Sequence, residues 1–225
     1  MLVVLGAVSA LTGMVTIGLR GFQREQGAAI VEVKGFLESA RSLAVARRTE
    51  VYVAFTNGEP EDDEHKFSRM AMFIPDPNLD LSSPEIAVQQ RHIFERKIVP
   101  VSEWFRLPAG QTWAFGKDFE QPLQGAFQTL LDLESEENAL LREFPFRLEN
   151  DTLKLPFLMF DGQGRVGIPP IFAQQYLNVG IVSRFYENGD PVDQGQQTGT
   201  TGDQFPRTRC VGINPLTGRA HILNY

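Results

Sequence analysis

The apolar and polar positions of the first 48 residues predict one long helix with two different halves. Residues 2–19 are apolar or small, no charge precedes Arg20, and a run of about twenty such residues suffices to cross a bilayer as a helix. Between Arg20 and Arg48 there is no proline, and apolar residues recur at helical spacing, with Lys34, Glu38, Arg41 and Arg48 opposite them. We therefore predict a transmembrane half at 1–20 and an amphipathic half at 21–48.

Two sets of residues follow from this pattern as candidate sites. The predicted membrane and assembly surface consists of Leu2, Val3, Val4, Leu5, Val8, Leu11, Val15, Ile17 and Leu19. The predicted seam between the amphipathic half and a sheet consists of Val33, Phe36, Leu37, Ala40, Leu43 and Ala44. A cleaved signal peptide would have a basic start and a shorter apolar core, which this sequence lacks, whereas a plain single-pass anchor remains an open alternative.

Residues 49–225 predict one β-rich domain. Val51, Val53 and Phe55 alternate with Tyr52 and Ala54, which is typical of a strand. Further strands are predicted at 67–74, 92–105 and 179–186, with a turn and then a strand within 107–115 and a closing hairpin at 209–223. The apolar stretch 153–160 ends in a tight turn at 161–165. Leucines at helical spacing predict an inserted short helix near 127–144, and the polar stretch 187–207 predicts a mobile exposed loop. The expected fold class is α+β, with the long helix packed on the sheet.

Charge and cysteine content limit the partners and the thiol chemistry expected of the chain. The chain has 225 residues, a formal net charge of −7 and no basic block, which argues against nucleic acid as a partner. Cys210 is the only cysteine, so no intramolecular disulfide forms, and its apolar surroundings predict a buried side chain rather than a reactive thiol.

No motif for catalysis or for a cofactor occurs. The three histidines, His65, His92 and His221, have no ligand-spaced partners, and the acidic segment 61–65 lacks the spaced ligands and turn glycine of a calcium loop. We expect no cofactor, no metal and no enzymatic activity, although a carboxylate pair acting as a hydrolase site stays open.

Four segments resemble type IV prepilin-like proteins, most closely the GspH/FimT class of minor pseudopilins. They are the apolar opening with Ala40-Arg41-Ser42-Leu43-Ala44, then Leu107-Pro108-Ala109-Gly110, Phe160 to Arg165, and Thr217-Gly218-Arg219. The length and the closing hairpin also resemble the prepilin-like family Verru_Chthon cassette protein D. The resemblance covers the helix, the first strand and scattered landmarks in the β domain.

The resemblance implies a structural subunit of a type IV pilus or of a type II secretion-like fibre. Such a subunit sits in the inner membrane as a single-pass protein with its C-terminal domain in the periplasm or in the extracellular fibre. Its partners are other pilin or pseudopilin subunits, bound through the N-terminal helix. The rival interpretations are a membrane-anchored periplasmic binding module and an anchored enzyme.

The sequence departs from the family at its start. The cleavage motif resembling Gly-Phe-Thr-Leu-Ile-Glu is not present, and the basic residues Arg20 and Arg24 follow the apolar run rather than precede it. Basic residues beside a membrane helix tend to stay in the cytoplasm. Arg20 and Arg24 alone would therefore place the β-rich domain in the cytoplasm, which contradicts the role that the resemblance implies, and a basic leader before the helix would reverse this orientation. We therefore expect that Met1 is an internal methionine, preceded in the gene product by a basic leader with that motif.

Overall fold

The computed structural model describes residues 27–58, 66–78, 96–114, 141–146, 151–168, 177–187, 190–193 and 209–223. Within them lie one helix, α1 (27–47), and twelve strands. The strands are β1 (Val51–Phe55), β2 (Arg69–Pro75), β3 (Ile98–Pro100), β4 (Phe105–Arg106), β5 (Gln111–Ala114), β6 (Leu141–Pro145), β7 (Thr152–Phe160), β8 (Val166–Ile168), β9 (Leu177–Glu187), β10 (Asp190–Asp193), β11 (Arg209–Ile213) and β12 (Ala220–Leu223). The protein is therefore of mixed helical and β-rich class, as predicted.

A Schellman motif ends α1. The N–H of Thr49 donates to Ala44 O at 3.2 Å, the N–H of Arg48 donates to Val45 O at 3.3 Å, and Arg48 has φ of 50°. Glycine is usual at this left-handed position, because other residues meet steric strain there. The motif turns the chain directly into β1.

The first sheet has seven strands in the order β3-β2-β1-β7-β6, with β4 paired to β2 and β8 to β7. All pairings are antiparallel, and β1 pairs Val53 with Met72 on one side and with Leu158 on the other. The predicted alternation of β1 is confirmed: Val51, Val53 and Phe55 belong to one apolar cluster, and Tyr52 and Ala54 to another. The predicted hairpin of β1 with the next strand is also confirmed.

The second sheet has five strands in the order β10-β9-β11-β12, with β5 paired to β9. The predicted closing hairpin is confirmed, because β11 and β12 pair Ile213 with Ala220 and Cys210 with Leu223. Trp113 of β5 joins the two sheets. Its ring packs edge-on to Phe55 at 5.3 Å between centroids, and its backbone N–H donates to Phe67 O at 2.7 Å.

One apolar core unites α1 with both sheets. It contains buried residues of α1 (Ala29, Ile30, Val33, Leu37, Ala40, Ala44), of the first sheet (Val51, Val53, Phe55, Met70, Met72, Ile74, Leu158, Phe160) and of the second (Trp113, Leu177, Val179, Ile181, Val211, Ile213, Ala220). The helix is thus fixed to both sheets rather than to one, which the sequence pattern did not predict.

Two sequence predictions are wrong within the described residues. The end of the helix predicted near 127–144 is the strand β6, because Arg142 and Phe144 alternate inward and pair with Leu155 and Leu153 of β7. Residues 127–140 lie outside the described residues. Part of the predicted loop at 187–207 is the strand β10, which pairs Asp190 with Glu187. The intervening dipeptide Asn188-Gly189 is a strong hairpin signal that the composition of the loop obscured.

Candidate functional site

The predicted seam residues lie along the face of α1 that meets the sheets. Val33, Leu37, Ala40 and Ala44 are completely buried in the shared core. Phe36 and Leu43 are half-buried and pack against the same core, and the ring of Phe36 lies 5.8 Å from that of Phe105. The opposite face of α1 is exposed and bears mostly small or polar side chains: Ala28, Val31, Glu32, Gly35, Ser39, Ser42, Val45 and Ala46.

The predicted membrane and assembly residues, from Leu2 to Leu19, lie outside the described residues. Within the part of the chain that the structure describes, no helix combines the length and the apolar character needed to cross a bilayer.

Two charged residues of α1, Glu38 and Arg41, bind the closing hairpin while remaining partly exposed. Arg41 Nε donates to Thr217 O at 2.7 Å, and the backbone N–H of Ala220 donates to Glu38 Oε1 at 2.7 Å. The spacing had placed both residues on the polar face of the helix. In the structure they satisfy backbone groups of a turn and of the edge strand β12. No sequence signal pointed to these contacts, because the partners are about 180 residues away.

The turn between β7 and β8 packs against the same end of α1. Asp161 Oδ1 accepts the backbone N–H groups of Gln163 and Arg165, both at 2.9 Å, and the Nε of Arg165 lies 3.0 Å from Asp161 Oδ2. Burial would raise the pKa of Asp161, but the two backbone donors and the Arg165 guanidinium outweigh it and hold the pKa below its usual range. The carboxylate therefore stays ionised and keeps this turn closed.

Glycines allow the two turns and the helix to meet. Gly164 has φ of 78° and Gly218 has φ of 63°, both in the left-handed region that glycine tolerates. A Cβ on Gly218 would lie 1.9 Å from Gly164 O, and a Cβ on Gly162 would lie 2.9 Å from the backbone carbon of Arg48. The N–H of Val166 also donates to Pro215 O at 2.9 Å, which ties the two turns together. We call this meeting point of 38–48, 161–166 and 214–220 the junction.

The closing turn is braced from within by Asn214. Its Oδ1 accepts the N–H groups of Leu216 at 3.0 Å and Thr217 at 3.1 Å, and its carbonyl accepts the N–H of Gly218 at 2.7 Å. Asparagine and glycine thus fix the conformation in which Thr217 O points at Arg41.

A second polar cluster lies on the other face of the first sheet. The phenol of Tyr52 donates to Glu50 Oε2 at 2.7 Å, Arg96 forms an ion pair with the same carboxylate, and the guanidinium of Arg142 lies 4.7 Å from the centre of the Tyr52 ring. Burial and then the hydrogen bond to Glu50 raise the pKa of Tyr52 to about 12, and burial lowers the pKa of Arg142. No sequence pattern indicated that Arg142 is buried, because its segment was predicted to be a helix.

The Tyr52 phenol and the Cys210 thiol are both buried and protonated at neutral pH. Burial and the hydrogen bond to Glu50 raise the pKa of Tyr52 to about 12, and burial raises the pKa of the Cys210 thiol to about 12. Among the described residues, no group of three or more histidine, cysteine, aspartate or glutamate side chains is placed to hold a metal ion. His221 is exposed on β12, while His65, His92 and the acidic segment 61–65 lie outside the described residues.

Comparison with known proteins does not assign the chain to a family. No protein-family model matches the chain, and no curated protein matches it. Among solved structures, the chain is similar to the crystal structure of the type IV minor pilin FimU of Pseudomonas aeruginosa strain PAO1, with 14% identity, 90% of each chain covered and a TM-score of 0.38. A similarity at this level carries no argument about fold or function.

Proposed function

We propose that this protein is a structural subunit of a type IV pilus or of a type II secretion-like fibre, of the minor pilin or pseudopilin kind. It would assemble through its N-terminal helix with other subunits of that kind. Before assembly it would reside in the inner membrane as a single-pass protein with its β-rich domain in the periplasm. After assembly that domain would lie in the extracellular fibre. In this proposal it has no enzymatic activity, binds no cofactor and has no nucleic-acid partner. Within this proposal, we assign the chain more specifically to the GspH/FimT class of minor pseudopilins. The narrowest candidate is the prepilin-like family Verru_Chthon cassette protein D.

The observation that carries the proposal is the junction. Three of the segments on which the resemblance rests are far apart in sequence: Ala40–Ala44, Phe160–Arg165 and Thr217–Arg219. They meet at the end of α1 through Arg41, Gly164 and Gly218. Segments that resemble the family and also contact one another support a common architecture. The same segments would support it less if they lay apart in the structure.

The exposed face of α1 is consistent with this role. One face is buried in the domain, and the other bears Gly35, Ser39 and Ser42, side chains small enough for another helix to approach closely. In residues 2–19, Gly6, Ser9, Gly13 and Gly18 have the same character. A plain membrane anchor has no need of such a surface.

The experiment is crosslinking from the N-terminal segment in cells that express the complete assembly system. Cysteine at Ala7 or Ala10 should crosslink to other pilin-like chains. The parent protein is the matched control, since its single thiol, Cys210, is buried. Crosslinks that reach no protein would favour the plain anchor and overturn the proposal. A second control omits the other pilin-like genes, and the crosslinks to those chains should then disappear.

A further inference from the structure

The two edge strands of the first sheet lie close together, although β2, β1 and β7 separate them in the pairing order. A flat sheet in this order would place β3 and β6 about 19 Å apart, since neighbouring strands are about 4.8 Å apart. Cα atoms of β3 and β6 nevertheless lie within 8 Å of each other. The first sheet is therefore rolled, so that its two edges meet. We call the contact of residues 96–104 with residues 141–146 the closure.

A complete backbone ladder cannot seal the closure, because each edge strand carries a proline there. The N–H of Val101 donates to β2 at 2.9 Å, and bonded residues alternate along an antiparallel pair, so Pro100 directs its backbone away from β2. The N–H of Phe146 donates to Asp151 O at 2.8 Å, so the same alternation turns Pro145 away from β7. Proline has no N–H to offer a neighbouring strand. Among the described strands, no ladder joins β3 to β6.

Side chains hold the closure instead. Arg142 of β6 donates through Nη2 to the carbonyl oxygen of Arg96, two residues before β3. Trp104 donates through Nε1 to Phe146 O at 3.1 Å, and the centroids of these two aromatic rings lie 5.1 Å apart. The guanidinium of Arg142 is itself held 4.7 Å from the centre of the Tyr52 ring. Two side-chain donors thus replace the backbone ladder at this edge.

The closure covers an apolar core that is separate from the core of α1. The ring centroid of Phe144 lies 4.9 Å from that of Phe73 and 5.6 Å from that of Phe157. All three side chains are completely buried, in a cluster on the opposite face of the first sheet from Leu37. Because β1 divides its side chains between the two cores, the outer core can lose its contacts while the core of α1 keeps its own.

We propose that the closure is a clasp at which the first sheet opens locally, while α1 stays packed against both sheets. Arg142 and Trp104 hold the clasp. The strands that separate are β3 and β6, each of which is paired on one side only. Opening would uncover the aromatic side chains of the outer core without releasing the helix. The inference goes beyond the proposed function and does not depend on it.

The two tryptophans of the chain report on the two cores separately. Trp104 lies in the closure, and Trp113 lies in the core shared with α1. The full-length chain in detergent micelles, labelled with fluorotryptophan, should give two fluorine NMR signals, which Trp104→Phe assigns. The inference predicts that the Trp104 signal changes at a lower urea concentration than the Trp113 signal. If both signals of the parent change together, the closure does not open by itself and the inference is overturned.

Arg142→Met tests the clasp itself, because methionine keeps an apolar stem but cannot donate to Arg96 O. It should raise the equilibrium constant for opening by at least about tenfold, measured as faster amide hydrogen exchange of β6, while the exchange of α1 stays unchanged. The matched control is Arg47→Met, at an exposed arginine of α1, which should change neither rate. Exchange of β6 that Arg142→Met leaves unchanged would contradict the assignment of the clasp.

Trp104→Phe decides the matter if Arg142→Met does not fold. It keeps an aromatic ring and removes the donor to Phe146 O, so it should speed the exchange of β6 by about two- to tenfold. Equal protection of β6 and α1, in the parent and in Trp104→Phe, would mean that one cooperative unit contains both cores. That result would also overturn the inference.

Discussion

Gly218→Ala tests the junction most sharply, because the structure gives two separate reasons for a penalty. At φ of 63°, a residue with a side chain costs roughly 1 to 2 kcal/mol relative to glycine. The new Cβ would also lie 1.9 Å from Gly164 O, whereas ordinary contact begins at 3.4 Å, so one turn has to move by more than an ångström. Moving it disturbs the bonds from Gly218 N–H to Asn214 O and from Arg41 to Thr217 O, each worth about 1 kcal/mol net.

The expected loss of unfolding free energy is therefore at least about 3 kcal/mol, which lowers Tm by roughly 6 to 12 °C in a domain of this size. Alanine substitutions at two other glycines should change the unfolding free energy by smaller amounts and serve as comparisons. Gly162→Ala meets only the close approach to Arg48, so we expect a loss of about 1 to 3 kcal/mol. Gly35→Ala has nothing within 4 Å and should stabilise α1 by about 0.5 to 1 kcal/mol.

The assay is chemical and thermal unfolding of the full-length parent and the three variants under the same conditions. The predicted order of stability is Gly35→Ala, parent, Gly162→Ala, Gly218→Ala. If Gly218→Ala unfolds with the parent, the closing turn does not touch the β7–β8 turn, and the junction is wrong.

Three further predictions follow from the buried residues. Leu37→Ala should cost about 2 to 5 kcal/mol because Leu37 is completely buried, whereas Val31→Ala, at 57% exposure, should stay within about 0.5 kcal/mol in the same unfolding assay. The pKa of Tyr52 is raised from 10.0 to about 12, so the unfolding free energy of the parent should fall as pH rises from about 10 through about 12, and Tyr52→Phe should remove that part of the pH dependence. The Cys210 thiol should react with a maleimide only after unfolding; rapid labelling of the native protein would contradict its burial.

The sequence predicted those parts of the fold that depend on local pattern. The alternation of β1 assigned Val51 and Tyr52 to opposite faces, and the spacing along α1 identified the residues that pack inward. Both rest on periods of two and 3.6 residues, which short stretches of chain carry by themselves. The turn at 214–218 was equally local, since asparagine, proline and glycine set its conformation.

What the sequence did not predict depends on partners distant in the chain. The spacing of Leu130, Leu133, Leu140 and Leu141 predicted a helix. Pairing with β7 instead makes Leu141 the start of a strand, since tertiary contacts override a weak local preference. The division into two sheets depends on β9 pairing with β5, β10 and β11, which no local pattern specifies. Glu38 and Arg41 had the spacing of a solvated helix face and instead bind the hairpin at the end of the chain.

The central claim, that this chain is a fibre subunit, is tested most directly by mass spectrometry of fibres sheared from cells that express the chain with its assembly system. The proposed function predicts peptides of this chain in the purified fibres, and their loss when Leu11→Lys is introduced into the apolar segment. The matched control, Val31→Lys on the exposed face of α1, separates a change in the apolar segment from the addition of a charge alone. The chain found only in the membrane fraction, with fibres intact and free of its peptides, would contradict the claim.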